Sequence, residues 1–330
     1  MAEKVSMATG TQGKKSNADD GGPVSRGSES SLGGGGGTGS GGKDLKWLVL
    51  GAAGQLGREW VLALEKDGVD VAGLSRRDLD ITQADEVQQA VTQIAPDIII
   101  NCAAYTKVDQ AEIETGQAEA VNTLAPEIIA RAAAATGALM VQYSTDYVFP
   151  GLPEHRRELP DGYPESYPPD PVNAYGRTKW LGEQQIRAQN GPHLIVRVSW
   201  LCGRYGNNFI GTMLRLAAER DRLKVVNDQF GCPTFAGPAV FNTRVLVEKG
   251  VRGTVHLSSG GVTSWYDFAR EIFRLRGVDV ALEPIPTSGY PTLARRPAWS
   301  RLDIRQLAGV PGTRILPWQD ELECFLSDLP

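Results

Sequence analysis

The chain has 330 residues, 41% of them hydrophobic, enough for one large or two moderate domains. A formal net charge of −5 argues against a dedicated nucleic-acid binder, which would carry a basic face. Four cysteines without a C-x-x-C and three scattered histidines argue against a disulfide framework and show no metal-ligand spacing, so a reducing cytoplasm is the expected compartment.

Residues 1–43 are rich in Gly, Ser, Lys and Asp and end in the Gly33–Gly42 run, too poor in apolar groups to offset ordering entropy. They read as a disordered tail. Order is expected from about Leu45. Lys46–Leu50 is a short apolar run that ends at Gly51, as a buried parallel strand should. Glu59–Lys66 has helical spacing, Val69–Leu74 reads as a strand and Glu86–Ile94 as a helix. Asp97–Asn101 is a third strand, Thr123–Gly137 a long Ala-rich helix, and Leu139–Ser144 and Leu194–Val198 further strands. This alternation predicts an α/β chain: a Rossmann-type, doubly wound parallel sheet over residues 44–199. Beyond Trp200 Gly and Pro are more frequent. Thr254–Leu257 reads as a strand and Ser264–Arg274 as a Ser-capped amphipathic helix. Residues 200–330 are therefore expected to form a smaller substrate lobe, with some segments returning to the sheet. No apolar run approaches the roughly 20 residues that span a bilayer, and no signal-peptide core is present, so no membrane association is expected.

Gly51-Ala52-Ala53-Gly54-Gln55-Leu56-Gly57 is a G-x-x-G-x-x-G loop between a strand and a helix. Its glycines let the backbone turn and approach a pyrophosphate, and the helix start offers free N–H groups to that anion. The second strand ends in Ser75-Arg76-Arg77, without the acidic residue that favours NAD. A guanidinium suits a 2′-phosphate, which points to NADPH ahead of NADH.

Tyr175 and Lys179 stand four residues apart, on one face of a helix. An ammonium beside a phenol is expected to lower its pKa, and such a Tyr can protonate a carbonyl oxygen as hydride reaches the carbon. The pair alone is a weak signal. Ser144-Thr145-Asp146-Tyr147 strengthens it, because it ends a strand where parallel-sheet enzymes place ligands. The Thr145 hydroxyl can bond the same oxygen. Cys102 and Cys202 lack a neighbouring base and read as small buried hydrophobes, and Trp265 and Tyr266 as packing.

These pieces resemble the extended short-chain dehydrogenase/reductases, and within them the dTDP-4-dehydrorhamnose reductase family. The resemblance runs from about Lys46 to Trp318. It is carried by GAAGQLG at Gly51–Gly57, NCAAYTKVDQAE at Asn101–Glu112, VN at Val121–Asn122, STDYVFPG at Ser144–Gly151 and NAYGRTKWLGE at Asn173–Glu183. RVSWLCG at Arg197–Gly203, NNF at Asn207–Phe209, NDQFGCPT at Asn227–Thr234, SWYDFA at Ser264–Ala269 and RRPAWSRLD at Arg295–Asp303 continue it. The resemblance implies a catalytic set of Thr145, Tyr175 and Lys179, with Lys179 also holding the nicotinamide ribose. It implies cofactor contacts from Gly51, Gly54, Gln55, Leu56, Gly57, Arg76, Asp80, Ile81, Ala103, Ala104, Tyr105 and Asn122. Thr106, Val108, Asp146, Tyr147 and Trp200 would face a dTDP-sugar, and Arg296 its diphosphate. The implied reaction is NADPH-dependent reduction of the C4 ketone of dTDP-4-dehydro-L-rhamnose or a related deoxysugar.

The chain departs from that pattern in Leu152–Pro171, a long stretch rich in Pro and Glu that is expected to lie over the sugar pocket. Some relatives bind Mg²⁺ at a dimer contact through acidic residues. Glu59 occupies one matching place, but no full ligand set is identifiable, so a homodimer and Mg²⁺ stay open. Two other readings also stay open. One is a nucleotide-sugar epimerase or dehydratase, although Tyr147 stands where dehydratases carry Glu. The other is a regulatory subunit like that of methionine adenosyltransferase.

Overall fold

The apolar runs become the strands of one parallel sheet: β1 (Trp47–Leu50), β2 (Val71–Leu74), β3 (Ile98–Asn101), β4 (Leu139–Thr145), β5 (His193–Val198) and β6 (Gly253–Leu257). Their spatial order is β2-β1-β3-β4-β5-β6. The computed structural model describes residues 45–329, so the expected tail lies outside the described residues. Helices Gln55–Lys66, Ala84–Ile94, Ala125–Thr136 and Ala174–Ala188 connect the strands, as βαβ crossovers require. The Rossmann-type sheet expected from the sequence is therefore present. Strand β6 comes from beyond Trp200 and pairs with β5.

Successive residues of a strand point to opposite faces, and here both faces are dry. Val49, Ile100, Val141 and Val196 pack with Trp60, Leu64 and Val240 on one side. Leu48, Leu50, Ile99 and Ile195 pack with Val87, Val91 and Ile129 on the other. A third cluster, including Phe235, Phe268, Ile272 and Trp318, forms around helices Phe209–Glu219, Trp265–Arg276 and Trp318–Ser327. The Ser264 cap is as expected: its hydroxyl accepts from the Asp267 N–H at 3.0 Å. Among the described residues no helix is long and apolar enough to cross a membrane.

Helix Ala174–Ala188 is fixed to the sheet by a buried ion pair. Arg197 on β5 donates to Glu183 twice, Nε to Oε1 at 2.9 Å and Nη2 to Oε2 at 2.7 Å. Ser144 Oγ on β4 donates to Glu183 Oε1 at 2.6 Å, and Arg187 Nη2 to Oε2 at 2.9 Å. Burial alone would raise the Glu183 carboxyl, but Arg197, Ser144 and Arg187 outweigh it and hold the group below the usual range. On β6, His256 Nδ1 lies 3.0 Å from the Tyr163 carbonyl, which can only accept, so Nδ1 carries the proton. Its Nε2 then accepts from Arg197 Nη1 at 3.3 Å. Burial and the Arg197 charge push His256 down to about 3.

Removing one partner strands a buried charge. Arg197→Met is expected to lower stability by about 3 kcal/mol, and Glu183→Leu with Arg197→Met to recover much of it. Urea unfolding of both variants checks this, and a single variant as stable as the parent would show that the pair does not hold the helix.

Candidate active site

Strands β1 and β3 are neighbours, and their chain continuations diverge beyond their carboxyl ends, which is where such sheets bind ligands. Gly51 leaves β1 with φ +77°, and a Cβ there would lie 2.7 Å from the Ala103 nitrogen. A Cβ on Gly57 would lie 2.2 Å from the Gly51 oxygen. Gly54 precedes helix Gln55–Lys66, whose first turn has no acidic residue to oppose an anion. The Gln55 side chain turns elsewhere: Nε2 donates to the Leu201 carbonyl at 3.1 Å, and Oε1 accepts from Asn208 at 3.0 Å. Leu56 is buried in the core. These two residues thus offer backbone to the crevice.

Arg76 and Arg77 are exposed just past β2. The Asp80 carboxylate accepts from Thr82 N–H at 3.0 Å and Thr82 Oγ1 at 2.7 Å; these bonds, then Arg76, lower its pKa. Ile81 is buried beside it. Ala103, Ala104 and Tyr105 run half-buried from the end of β3. Two buried amides hold this run. Asn101 Oδ1 accepts from the Ala103 N–H at 3.1 Å. Asn122 accepts from the Tyr105 N–H at 2.9 Å and donates to the Tyr105 carbonyl at 3.0 Å. The Asn122 side chain therefore shapes the crevice wall. Asn101 escapes sequence reasoning, although a polar residue closing a buried Ile-Ile-Ile run is a signal.

Thr145 is the last residue of β4, and the Asp146–Val148 turn follows it. Asn173 caps helix Ala174–Ala188 by accepting from the Gly176 N–H at 2.8 Å. A Cβ on Gly176 would lie 2.1 Å from the Tyr147 oxygen, so the helix start rests on that turn. This brings Tyr175 to Thr145, with their hydroxyls in hydrogen-bonding reach, and sets the Tyr175 ring edge-on to Tyr147 at 5.5 Å. Lys179 follows one turn later, 4% exposed, and its Nζ donates to the Tyr143 carbonyl at 2.7 Å. Burial lowers Lys179 to about 8, against the opposing pull of Glu183.

The expected lowering of the Tyr175 phenol is not found. Burial first, then the nearby Asp146 charge, raises it, while the Lys179 ammonium is tethered to a carbonyl. Asp146 is 3% exposed, and burial pushes it up to about 7.

A cleft of about 480 Å³ opens among Gly151, Tyr290, Thr292, Arg295 and Arg296. Asn173 Nδ2 donates to the Arg295 carbonyl at 2.9 Å, which ties this wall to the helix cap. Arg296 lies beside the Tyr147 phenol, and its Nη2 donates to Asp109 at 2.6 Å. Thr106 is exposed and Val108 half-buried on the loop before Asp109. Trp200 stacks on Trp265 at 3.5 Å and 11°, within the third core cluster. Of Leu152–Pro171, Pro153 lines the cleft. Other parts of the stretch are packed: Tyr163 stacks on Phe149 at 4.4 Å and bonds His155 at 2.7 Å. Cys102 and Cys202 are raised by burial, which leaves them protonated. Glu59 borders a smaller cavity with Glu321 and Asp328, yet among the described residues no group of three or more His, Cys, Asp or Glu is placed to hold a metal.

A family model described as RmlD substrate binding domain matches residues 45–330. A dTDP-4-dehydrorhamnose reductase from Escherichia coli K12 is 40% identical over 302 residues, covering 86% of this chain and 97% of the relative. The chain belongs to the RmlD family. A solved dTDP-4-dehydrorhamnose reductase from Bacillus anthracis, in complex with NADP, is 39% identical with a TM-score of 0.82, covering 87% of this chain and 100% of that one. A probable dTDP-4,6-dihydroxy-2-methyloxan-3-one 4-ketoreductase from Streptomyces antibioticus is 36% identical over 292 residues, covering 86% of this chain and 97% of the relative. The crevice and the Thr145–Tyr175–Lys179 cluster thus lie within the span that the RmlD model matches.

Gly51→Ala is expected to abolish dinucleotide binding while the protein stays folded, because the new methyl strains a positive φ and presses on Ala103. Titration of NADPH fluorescence with a circular-dichroism control checks this; unchanged affinity would refute the cradle.

Proposed function

We propose that this chain is an NADPH-dependent ketoreductase that reduces C4 of a dTDP-4-keto-6-deoxy sugar, with dTDP-4-dehydro-L-rhamnose as the first candidate. The observation that carries this reading is the meeting of Thr145, Tyr175 and Lys179 at the end of β4 in an RmlD-family chain. The residues present fit a dinucleotide. Gly51 and Gly57 leave a cradle that a Cβ would fill, the helix start beside it offers N–H groups free of acidic neighbours, and Arg76 stands exposed where a 2′-phosphate would lie. When bound there, the dinucleotide supplies hydride.

The protein's own groups do the rest. The crevice holds the pyrophosphate, and Ala103–Tyr105, fixed by Asn101 and Asn122, forms its wall. Tyr175 donates its proton to the C4 oxygen, and burial of its phenol keeps that proton in place until the oxyanion develops. Thr145 bonds the same oxygen. Lys179, with ammonium protons beyond the one given to Tyr143, binds the ribose and adds positive charge near the phenolate that forms. Arg296 and Tyr147 line the sugar side, and the cleft beyond them receives the nucleotide.

Tyr175→Phe is expected to bind NADPH normally and to lose turnover by roughly 10²–10⁴-fold. The assay follows NADPH oxidation with dTDP-4-keto-6-deoxy-L-mannose generated in situ, and near-normal turnover would sink the mechanism. Arg76→Ala is expected to erode the preference for NADPH over NADH by roughly tenfold or more, since a charge-assisted bond is lost. An unaltered cofactor ratio would remove Arg76 from the 2′-phosphate site.

A further inference from the structure

Asp146 is a buried carboxyl of the site that is only partly satisfied. Its side chain is buried, its Oδ1 accepts from Thr145 Oγ1 at 3.0 Å, and its Oδ2 has no hydrogen-bond partner. A buried carboxylate with an unpartnered oxygen is costly, and neutralisation relieves the cost. The groups facing it compensate only in part: the Thr145 and Ser300 hydroxyls and the Asp146 and Tyr147 backbone favour the carboxylate, but burial outweighs them. Tyr147 lies on its own turn, Tyr175 on the helix above, Tyr163 in the stretch after Gly151, and Ser300 and Arg296 on the far wall. The Ser300 hydroxyl donates to the Phe230 carbonyl at 3.3 Å. Arg296 donates to Asp109 at 2.6 Å.

Thr145 adds a second, independent constraint. A threonine hydroxyl has one hydrogen to give and two lone pairs to receive with. One lone pair takes the Tyr147 N–H at 3.2 Å. With Asp146 ionised, the single Thr145 hydrogen goes to Oδ1 and the remaining lone pair is open to the Tyr175 hydroxyl. Both hydrogens that a ketone oxygen needs are then turned away from it. With Asp146 protonated, the bond reverses. The carboxylic acid donates to Thr145 Oγ1, both lone pairs are filled, and the hydrogens of Thr145 and Tyr175 are free for the substrate.

We propose that Asp146 is a positioning residue whose proton sets the direction of the Thr145 hydrogen bond, so that only the enzyme with neutral Asp146 presents both hydroxyl donors to the C4 oxygen. This rests on the ketoreductase reading above. The proton on Asp146 is not transferred to product. One hydrogen bond changes direction, while Tyr175 remains the donor to the oxygen. Burial pushes Asp146 up to about 7, which puts the change in the neutral range, below Lys179, which burial lowers to about 8.

The test is the pH dependence of single-turnover NADPH oxidation with saturating dTDP-4-keto-6-deoxy-L-mannose, which isolates chemistry from release. The parent rate is expected to fall about fivefold or more between pH 5.5 and pH 8. Asp146→Asn keeps a permanent N–H donor toward Thr145 and is expected to lose that fall, leaving only the later loss from Lys179. Thr145→Val, which removes the hydroxyl, is expected to be slow and without the fall, and covers the case in which Asp146→Asn does not fold. A flat parent profile, or the same fall in either variant, overturns the inference while leaving the ketoreductase reading intact. No sugar-dependent oxidation by the parent at any pH overturns that reading and the inference with it.

Discussion

The bidentate pair between Glu183 and Arg197 is the contact on which the site depends. Glu183 sits one turn beyond Lys179 and two turns beyond Tyr175 on the same helix, so fixing it fixes both. The pair joins that helix to β5, Ser144 brings in β4, and His256 brings in β6. Such an ion pair is weak evidence for stability, because desolvation offsets most of its attraction. Its value lies in direction: two parallel N–H donors meet one carboxylate in a single geometry. The close approaches of Gly176 to Tyr147 and of Gly182 to Asn122 do the same by sterics, since added methyls would lie 2.1 Å from carbonyl oxygens. Charge and close packing together place a phenol, a hydroxyl and an ammonium at one strand end.

Burial then decides the protonation of those groups. It raises Tyr175 and Asp146 and lowers Lys179, each by disfavouring the charged form. A sequence view expects the ammonium to lower the phenol by proximity. The folded protein instead gives Lys179 a carbonyl partner and leaves Tyr175 near a carboxyl, so the phenol holds its proton more tightly before substrate arrives. That suits a proton donor, whose proton should move only as charge develops on the acceptor.

The sheet was legible because strands dry on both faces read as unbroken apolar runs: Leu48–Leu50, Ile98–Ile100 and Leu194–Val196 have nearly no exposure. Thr145, Tyr175 and Lys179 were legible because each lies in a local pattern. Helix Ala236–Glu248 was not. It buries Ala239, Asn242, Thr243 and Leu246 along one face while Phe241 is exposed on the other, and its buried polar side chains face protein: Asn242 bonds the Arg314 backbone twice, and Thr243 accepts from Tyr143. With polar groups on the buried face and an aromatic ring on the exposed one, its sequence shows no clear apolar stripe. Asp109, Asn173 and Arg197 were illegible for another reason. Their partners lie 187, 122 and 14 residues away, and no local spacing encodes such a meeting.

Arg296 shows how distant partners reshape a residue that sequence alone assigns simply. A forked guanidinium suggests a diphosphate ligand, and one fork is already closed on Asp109. Asp109 also accepts from the Ala294 N–H at 3.0 Å, so the same carboxylate holds the Arg296 segment by backbone and side chain. The other terminal nitrogen, Nη1, is buried without a partner. A buried donor left open costs free energy unless a ligand or water completes it. Asp109 thus aims Arg296 and partly neutralises it, which limits the guanidinium to one directed bond beside Tyr147. Under the proposed function, recognition on the sugar side would rest on placed hydrogen-bond donors rather than on net positive charge, as is needed when substrates differ by a hydroxyl or a stereocentre.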